Sequence, residues 1–160
     1  MRRAFMAMVA GGAVAASLVA CSETERAATV LFEPCAGVGA AALVAAGVDP
    51  ATKVQAGAAD AGWQTCEWAG KGAHLRIYST SRTLDEFETE SGQAAFTDFP
   101  VAGRTGRRLQ NAAPASCDVL FPAAQGALRM VVVHDPGNPS QDACTTLRTM
   151  ADSIVPTFPT

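Results

Sequence analysis

Cysteine is the residue type whose chemistry and spacing are most informative in this chain. The five cysteines lie at positions 21, 35, 66, 117 and 144. A cysteine thiol can carry a lipid, bind a metal or form a disulfide, and the surrounding residues decide between these roles. Cys21 follows an apolar segment directly, whereas the other four are spread over the rest of the chain. The spacing therefore separates one cysteine from an even set of four.

Residues 1–20 have the composition of a secretory signal. Basic Arg2 and Arg3 precede an apolar run from Ala4 to Ala16, and small residues then lead to Cys21. The apolar run has about 13 residues, whereas a membrane-spanning helix needs roughly 20, so a permanent transmembrane segment is not expected. Both general secretion and the twin-arginine route are compatible with the arginine pair. General secretion is favoured, because only one residue precedes that pair.

Leu18-Val19-Ala20-Cys21 resembles the lipobox of bacterial prolipoproteins. The resemblance implies a diacylglyceryl group on the Cys21 thiol and cleavage that leaves Cys21 as the first residue. Acyl chains such as palmitate anchor a protein stably when two are present. We expect a signal peptide over 1–20, a lipidated cysteine and tether over 21–31, and one domain over 32–160. The protein would then be lipid-anchored at the cell membrane on its extracytoplasmic side; the alternative is an ordinary cleavable signal with a cysteine near its end.

Composition limits the classes of partner. The chain has 12 Lys plus Arg against 15 Asp plus Glu, and removal of Arg2 and Arg3 leaves 10 against 15, a net charge of −5. Nucleic acid is not an expected partner, since binding to phosphates requires clustered positive charge. Polybasic adhesion to a membrane has no support for the same reason. The mature chain is long enough for one compact domain.

The four cysteines after Cys21 are expected to form two disulfides, which persist in exported domains. Their successive separations, about 30, 50 and 30 residues, contain no closely spaced pair of the kind that structural zinc sites use, so neither a metal nor another cofactor is expected. Three connectivities are possible. The pairs Cys35–Cys66 and Cys117–Cys144 are favoured, because each closes a loop of about 30 residues.

Alternating apolar residues predict strands and hairpins. The pattern predicts one hairpin from Gln64–Ala69 and His74–Tyr78, a strand over Arg104–Gln110, and a second hairpin from Cys117–Phe121 and Leu128–His134. Residues 51–62 and the segment around Phe99-Pro100 are expected to be loops. The prediction is an α+β domain in which two or three helices pack on an antiparallel sheet of about five strands.

Helical periodicity and capping residues predict three helices. The first is expected from about residue 36 to 46, where Gly47 and Asp49-Pro50 end it. A short acidic helix begins at the capping-box pair Thr83 and Glu86 and ends near Gly92. A final helix is expected to begin at Ser140. One face of it carries Cys144, Leu147, Ala151 and Ile154.

Few residues are candidates for a functional site. Arg104, Arg107 and Arg108 form the one basic cluster, and Arg104 and Arg108 share a face if this segment is a strand. They could hold a carboxylate or a phosphate-bearing headgroup, although a charged strand edge that discourages aggregation explains them as well. His74 and His134 are the only histidines that could act as a general base in a hydrolase. Both fit ordinary exposed positions, so no catalytic residue is assigned.

Several short motifs recur in a known order along the chain. They are Glu33-Pro34-Cys35 opening a helix, Cys66-Glu67-Trp68, Val101-Ala102-Gly103, Cys117-Asp118-Val119, and Cys144 in a helix that ends near Pro159. Behind a lipobox, this order resembles the actinobacterial lipoproteins grouped as domain of unknown function 3558. The resemblance implies a surface-exposed envelope lipoprotein and assigns no catalytic or binding residue. The chain departs from the family pattern at 36–39, where leucines commonly follow the cysteine.

These observations favour a non-enzymatic binding or interaction module of the cell envelope. The expected partners are the membrane, through the lipid anchor, and an unidentified envelope protein or small apolar ligand. A carrier of an apolar ligand such as a lipid, with a cleft between helices and sheet, is one alternative. A hydrolase that uses His74 or His134 is the other.

Overall fold

The computed structural model describes residues 30–56, 62–110, 112–113, 115–137 and 142–160. The predicted signal peptide, the lipidation site Cys21 and most of the predicted tether lie outside these residues. None of the helices in the described part is long and apolar enough to cross a membrane. The described residues of 32–160 share one sheet and one core.

Seven strands form one antiparallel sheet. They are β1 (Val54–Ala56), β2 (Trp63–Ala69), β3 (Ala73–Thr80), β4 (Phe96–Val101), β5 (Arg104–Leu109), β6 (Ser116–Ala123) and β7 (Gly126–His134). Their order across the sheet is β1-β2-β3-β7-β6-β5-β4. The two predicted hairpins are β2–β3 and β6–β7, and the predicted strand at Arg104 is β5.

The prediction of about five strands missed the two edge strands, β1 and β4. Strand β1 has only three residues and lies within the segment that was expected to be a loop. Strand β4 contains Pro100, which donates no ladder hydrogen bond and is tolerated because this strand has only one neighbour. Edge strands carry weak alternation, and both were therefore hidden from a search for periodic apolar residues.

Four α-helices occur in the described part of the chain. They are α1 (Pro34–Gly37), α2 (Ala40–Ala45), α3 (Leu84–Ser91) and α4 (Ala143–Ile154). The single helix expected over 36–46 was wrong, since extended backbone at Val38 and Gly39 divides it into α1 and α2. The break turns the Val38 side chain into the core, where 4% of its surface is exposed. Two or three helices were expected, and the division of the first accounts for the difference.

Caps at the helix ends were predicted with mixed success. Thr83 and Glu86 form both hydrogen bonds of a capping box at α3, which confirms that prediction, and these bonds lower the pKa of Glu86. At α4 the cap is Asp142, whose Oδ2 accepts a hydrogen bond of 2.9 Å from the Thr145 backbone N–H. The proposed cap Ser140 lies outside the described residues. Either side chain has the oxygen that a cap requires.

The two faces of the sheet differ in composition. The inner face, on which α1, α2 and α4 pack, carries the core. Its fully buried residues include Cys66, Trp68, Leu75, Ile77, Cys117, Val119, Phe121, Leu128, Met130 and Val132. The outer face carries mostly polar and charged side chains, and α3 approaches it through Phe87 and Glu88.

Two disulfides join the helices to the inner face, with the expected pairing. Cys35 of α1 bonds to Cys66 of β2 with 5.2 Å between the Cα atoms. Cys144 of α4 bonds to Cys117 of β6 with 4.9 Å between the Cα atoms. As predicted, Leu147, Ala151 and Ile154 of α4 are buried. Each end of the helical layer is thus covalently attached to a strand.

Candidate functional site

A polar cleft lies between strands β4 and β5 and the first turns of α4. Its volume is about 210 Å³. Its lining includes Thr97 of β4, Arg108 of β5, and Asp142, Cys144, Thr145 and Arg148 at α4. Two of these side chains are guanidinium groups, which bind carboxylates and phosphates well. The cleft is therefore a candidate site for an acidic group.

Sheet register and helix spacing bring these residues together. The β4–β5 hairpin turns at Ala102 and Gly103, both with positive φ, and its register pairs Thr97 with Arg108. Arg108 also pairs with Val119, so it lies on the inner face. Cys144 is held beside β6 by its disulfide. Arg148 follows it by four residues and hence lies on the same side of α4.

The two arginines of the cleft are held differently. Arg148 donates a hydrogen bond to the Pro100 carbonyl, and its guanidinium carbon lies 4.1 Å from the centroid of the Phe99 ring. These contacts fix its orientation. By contrast, no hydrogen bond or ion pair within the described residues includes the side chain of Arg108, whose residue is only partly exposed. Its donors are thus available to a ligand.

The carboxylates of the cleft already have partners. Asp142 caps α4 through the Thr145 N–H and the Thr145 hydroxyl. Asp98 forms an ion pair with Arg107 on the other face of the hairpin. Within the described residues, neither acid forms a hydrogen bond or an ion pair with Arg108. Each acid thus uses part of its acceptor capacity within the protein.

The three arginines that the sequence grouped do not form one site. Arg104 and Arg108 share the inner face, as expected, but Arg104 donates to the backbone carbonyls of Phe158, Pro159 and Pro122. Burial without a counterion lowers the pKa of Arg104. Arg107 lies on the outer face, where hydrogen bonds from its guanidinium to Asp98, and the nearby Glu88 carboxylate, raise its pKa. Of these three arginines, only Arg108 is placed to bind an external group.

Arg148 is the cleft residue that the sequence analysis missed. Its one signal was the interval of four residues from Cys144, which was already expected to face the core. That interval did not reveal which strand the helix would meet. The contact depends on how α4 docks against β4, which no local pattern specifies.

The two histidines lie on opposite faces of the sheet. On the outer face, His74 Nδ1 lies 3.2 Å from Glu67 Oε1 and its Nε2 lies 3.1 Å from Asp135 Oδ1. On the inner side, His134 Nε2 lies 2.9 Å from the Thr146 hydroxyl. Neither imidazole lines the cleft. Within the described residues, no three His, Cys, Asp or Glu side chains are grouped so as to hold a metal ion.

A buried ion pair lies on the outer face. Arg129 of β7 reaches Asp118 of β6 through two of its nitrogens, with 2.9 Å between Nε and Oδ1. Asp118 is 3% exposed. The hydrogen bonds to Asp118 raise the pKa of Arg129. This pair is saturated internally, and it therefore serves the fold rather than a ligand.

Together these features define a small two-disulfide α+β domain, with helices on one face of an antiparallel sheet and an open polar cleft at one edge. Residues 9–157 match the family described as "Protein of unknown function (DUF3558)", and the chain belongs to that family. The resemblance drawn from the sequence motifs is thus confirmed at the level of the family. The family description assigns no activity. No curated protein and no solved structure matches the chain.

Proposed function

We propose that this protein is a membrane-anchored lipoprotein of the cell envelope whose domain is a non-enzymatic binding module, with the cleft as its binding site. The anchor is the lipid on Cys21. The short polar segment that follows it reaches at most about 28 Å when extended, which keeps the domain close to its membrane. The lipobox and the even set of four other cysteines support this assignment.

The observation that carries the binding role is Arg108. It projects from a strand into an open cleft without any internal partner among the described residues. Binding residues are best positioned by rigid elements, and here both walls are rigid. One wall is the β4–β5 hairpin; the other is α4, which a disulfide fixes to β6.

An apolar-ligand carrier has less support than a surface binding module. The space between the sheet and the helices is filled by packed side chains, among them Trp68, Leu75, Leu147 and Ile154, none of which has exposed surface. A carrier would have to displace part of this core. The hydrolase alternative has less support as well, since both ring nitrogens of His74 are taken up by Glu67 and Asp135, and neither His74 nor His134 lines the cleft.

The anchor is tested by mass spectrometry of the mature protein from the membrane fraction. The expected amino terminus is Cys21 carrying a diacylglyceryl group, and Cys21→Ser should release the protein from the membrane. An unmodified amino terminus downstream of Cys21 in the native protein would contradict the anchor.

The binding role is tested by placing a photo-crosslinking residue at Thr145, an exposed position in the wall of the cleft. The same residue at Thr89, an exposed position on α3, is the matched control. On intact cells, Thr145 should capture a species that Thr89 does not. Equal recovery from the two positions would show that the cleft is not the binding site.

A further inference from the structure

The arginines of the cleft have fewer hydrogen-bond and ion-pair partners within the described residues than the other arginines do. Elsewhere in the described residues, Arg76, Arg82, Arg107 and Arg129 each have a carboxylate partner, and Arg104 has three backbone carbonyls. A guanidinium has five N–H donors. Arg108 uses none of them and Arg148 uses one, so about nine donors remain around the cleft.

We propose that the cleft binds an oxyanion, a carboxylate or phosphate group, held by Arg108 and Arg148; this rests on the binding role proposed above. The unpaired N–H groups of the two guanidiniums require acceptors, which the ligand supplies. A planar guanidinium fork matches the paired oxygens of a carboxylate or phosphate. The Thr97 hydroxyl adds an uncharged donor to the hairpin wall, whereas the Thr145 hydroxyl already donates to Asp142 Oδ2.

Arg148 contributes a preorganised side of the site. Stacking on Phe99 and the hydrogen bond to the Pro100 carbonyl restrict its rotamers before any ligand arrives. Less side-chain entropy is therefore lost on binding. Arg108, held only by its strand, supplies the donors that adapt to the ligand.

The position of the cleft indicates where the oxyanion comes from. Phe32, close to the tether, packs against Phe158 with 6.1 Å between ring centroids. Phe158 follows the carboxyl end of α4, whereas the cleft lies at its amino end, and a 12-residue helix is about 18 Å long. On β6, Phe121 contacts Phe158, while Cys117, beside the cleft, lies about 13 Å closer to the amino end of the strand.

The chain thus enters the domain at the end opposite the cleft. The short tether joins the domain at this end, so the cleft lies at the end farther from the anchoring residue. The oxyanion is therefore dissolved in the envelope space or carried by a molecule there, and it is not a headgroup of the anchoring lipids.

The first experiment titrates the mature chain, in nonionic detergent, with inorganic phosphate. Amide signals of Thr97, Arg108 and Thr145 should shift saturably. Arg108→Gln should weaken binding at least about tenfold, as expected for lost hydrogen bonds to a charged group. The phosphate affinity of Arg108→Lys should lie between those of the native chain and Arg108→Gln, because lysine keeps the positive charge but lacks the planar guanidinium. Arg82→Gln, which removes the same charge from an exposed ion pair, should bind as the native chain does.

Unchanged phosphate affinity in Arg108→Gln, or an equal loss in Arg82→Gln, would overturn the oxyanion site. So would an absence of shifts in the native chain. These outcomes leave the crosslinking result at Thr145 and the lipid on Cys21 untouched, so failure of the oxyanion assignment is distinguishable from failure of the binding module or the anchor.

The second experiment addresses the source of the oxyanion. The lipidated protein is reconstituted in phosphatidylcholine vesicles with or without phosphatidylglycerol, and the solvent protection of Arg148 and Thr145 is measured by footprinting. Inorganic phosphate should protect both residues in either vesicle. Protection by phosphatidylglycerol alone would show that the cleft reaches the anchoring bilayer and would overturn the assigned source.

Discussion

Two regions hold most of the arginines in the described residues, and they differ in how those charges are balanced. On the outer face of the sheet, Arg76, Arg107 and Arg129 contact carboxylates of their own or neighbouring strands. In the cleft, Arg108 has no such partner among the described residues, and Arg148 rests on an aromatic ring and a carbonyl.

The difference indicates which charges maintain the fold and which are available to a ligand. A saturated pair such as Arg129–Asp118 gains nothing from an external group, whereas a free guanidinium beside fixed donors does. The predictions below separate the two regions by measuring stability and phosphate affinity on the same variants.

The largest expected effect on stability belongs to the disulfide that borders the cleft. Replacing Cys117 and Cys144 together by alanine should lower the free energy of unfolding by about 3.5 kcal/mol, from the loop that the bond closes. Phosphate affinity should also fall, since α4 is no longer fixed to β6. Chemical denaturation and phosphate titration measure the two effects.

The matched control for this variant is the double alanine replacement of Cys35 and Cys66, whose disulfide closes a loop of similar length. It should lose similar stability and keep its phosphate affinity. Equal loss of affinity in both variants would show that the cleft depends on global stability rather than on the position of α4.

The next effect is expected at the buried pair of the outer face. Asp118→Ala should lower the free energy of unfolding by about 3 kcal/mol. This is the lower end of the range for breaking a buried ion pair, because 37% of the Arg129 side chain is exposed. Urea denaturation measures the loss. The double variant Asp118→Leu with Arg129→Met should recover most of it, since no charge is then left unpaired. Phosphate affinity should not change in either variant.

A smaller effect is expected at the exposed pair that shares the β4–β5 hairpin. Asp98→Asn should cost less than about 1 kcal/mol, because 69% of the Asp98 side chain is exposed. Asp98 also lines the cleft, so the variant removes one negative charge beside the oxyanion site, and phosphate affinity should rise by less than about tenfold. A loss of phosphate affinity would contradict the oxyanion site, and titration of this variant tests it.

The smallest effect on stability is expected at Arg108. Arg108→Gln should change the free energy of unfolding by less than about 0.5 kcal/mol, since no internal contact in the described residues is lost. Thermal denaturation checks this, with Arg104→Gln as the comparison. Arg104 joins β5 to the carboxyl-terminal segment, so its variant should be the less stable of the two. The reverse order would assign Arg108 a structural role.

The sequence predicted those elements whose pattern lies within one continuous segment of the chain. The alternation through Cys66 and Trp68 identified β2, and the spacing of Thr83 and Glu86 identified the cap of α3. Alternation also placed Arg104 and Arg108 on one face. It failed for β1, which is too short to alternate, and for β4, where Pro100 argued against a strand.

The cleft itself could be anticipated only in part. Arg108 was among the candidate anion-binding residues, but its neighbours Thr97 and Arg148 come from an unrecognised strand and from a helix 40 residues later. Their meeting depends on strand order and on helix docking, which are properties of the whole domain. Two of the three expected arginines instead found partners inside the protein.

The contact between Phe32 and Phe158 also has a mechanical consequence. A pull on the proposed lipid anchor would enter the domain at Phe32 and reach β2 three residues later through the covalent bond from Cys35 to Cys66. A ligand held in the cleft would load the opposite end, where the bond from Cys144 to Cys117 passes the force to β6. Tension between the proposed anchor and a ligand would therefore be carried first by β2 and β6, both interior strands, and not by either edge strand.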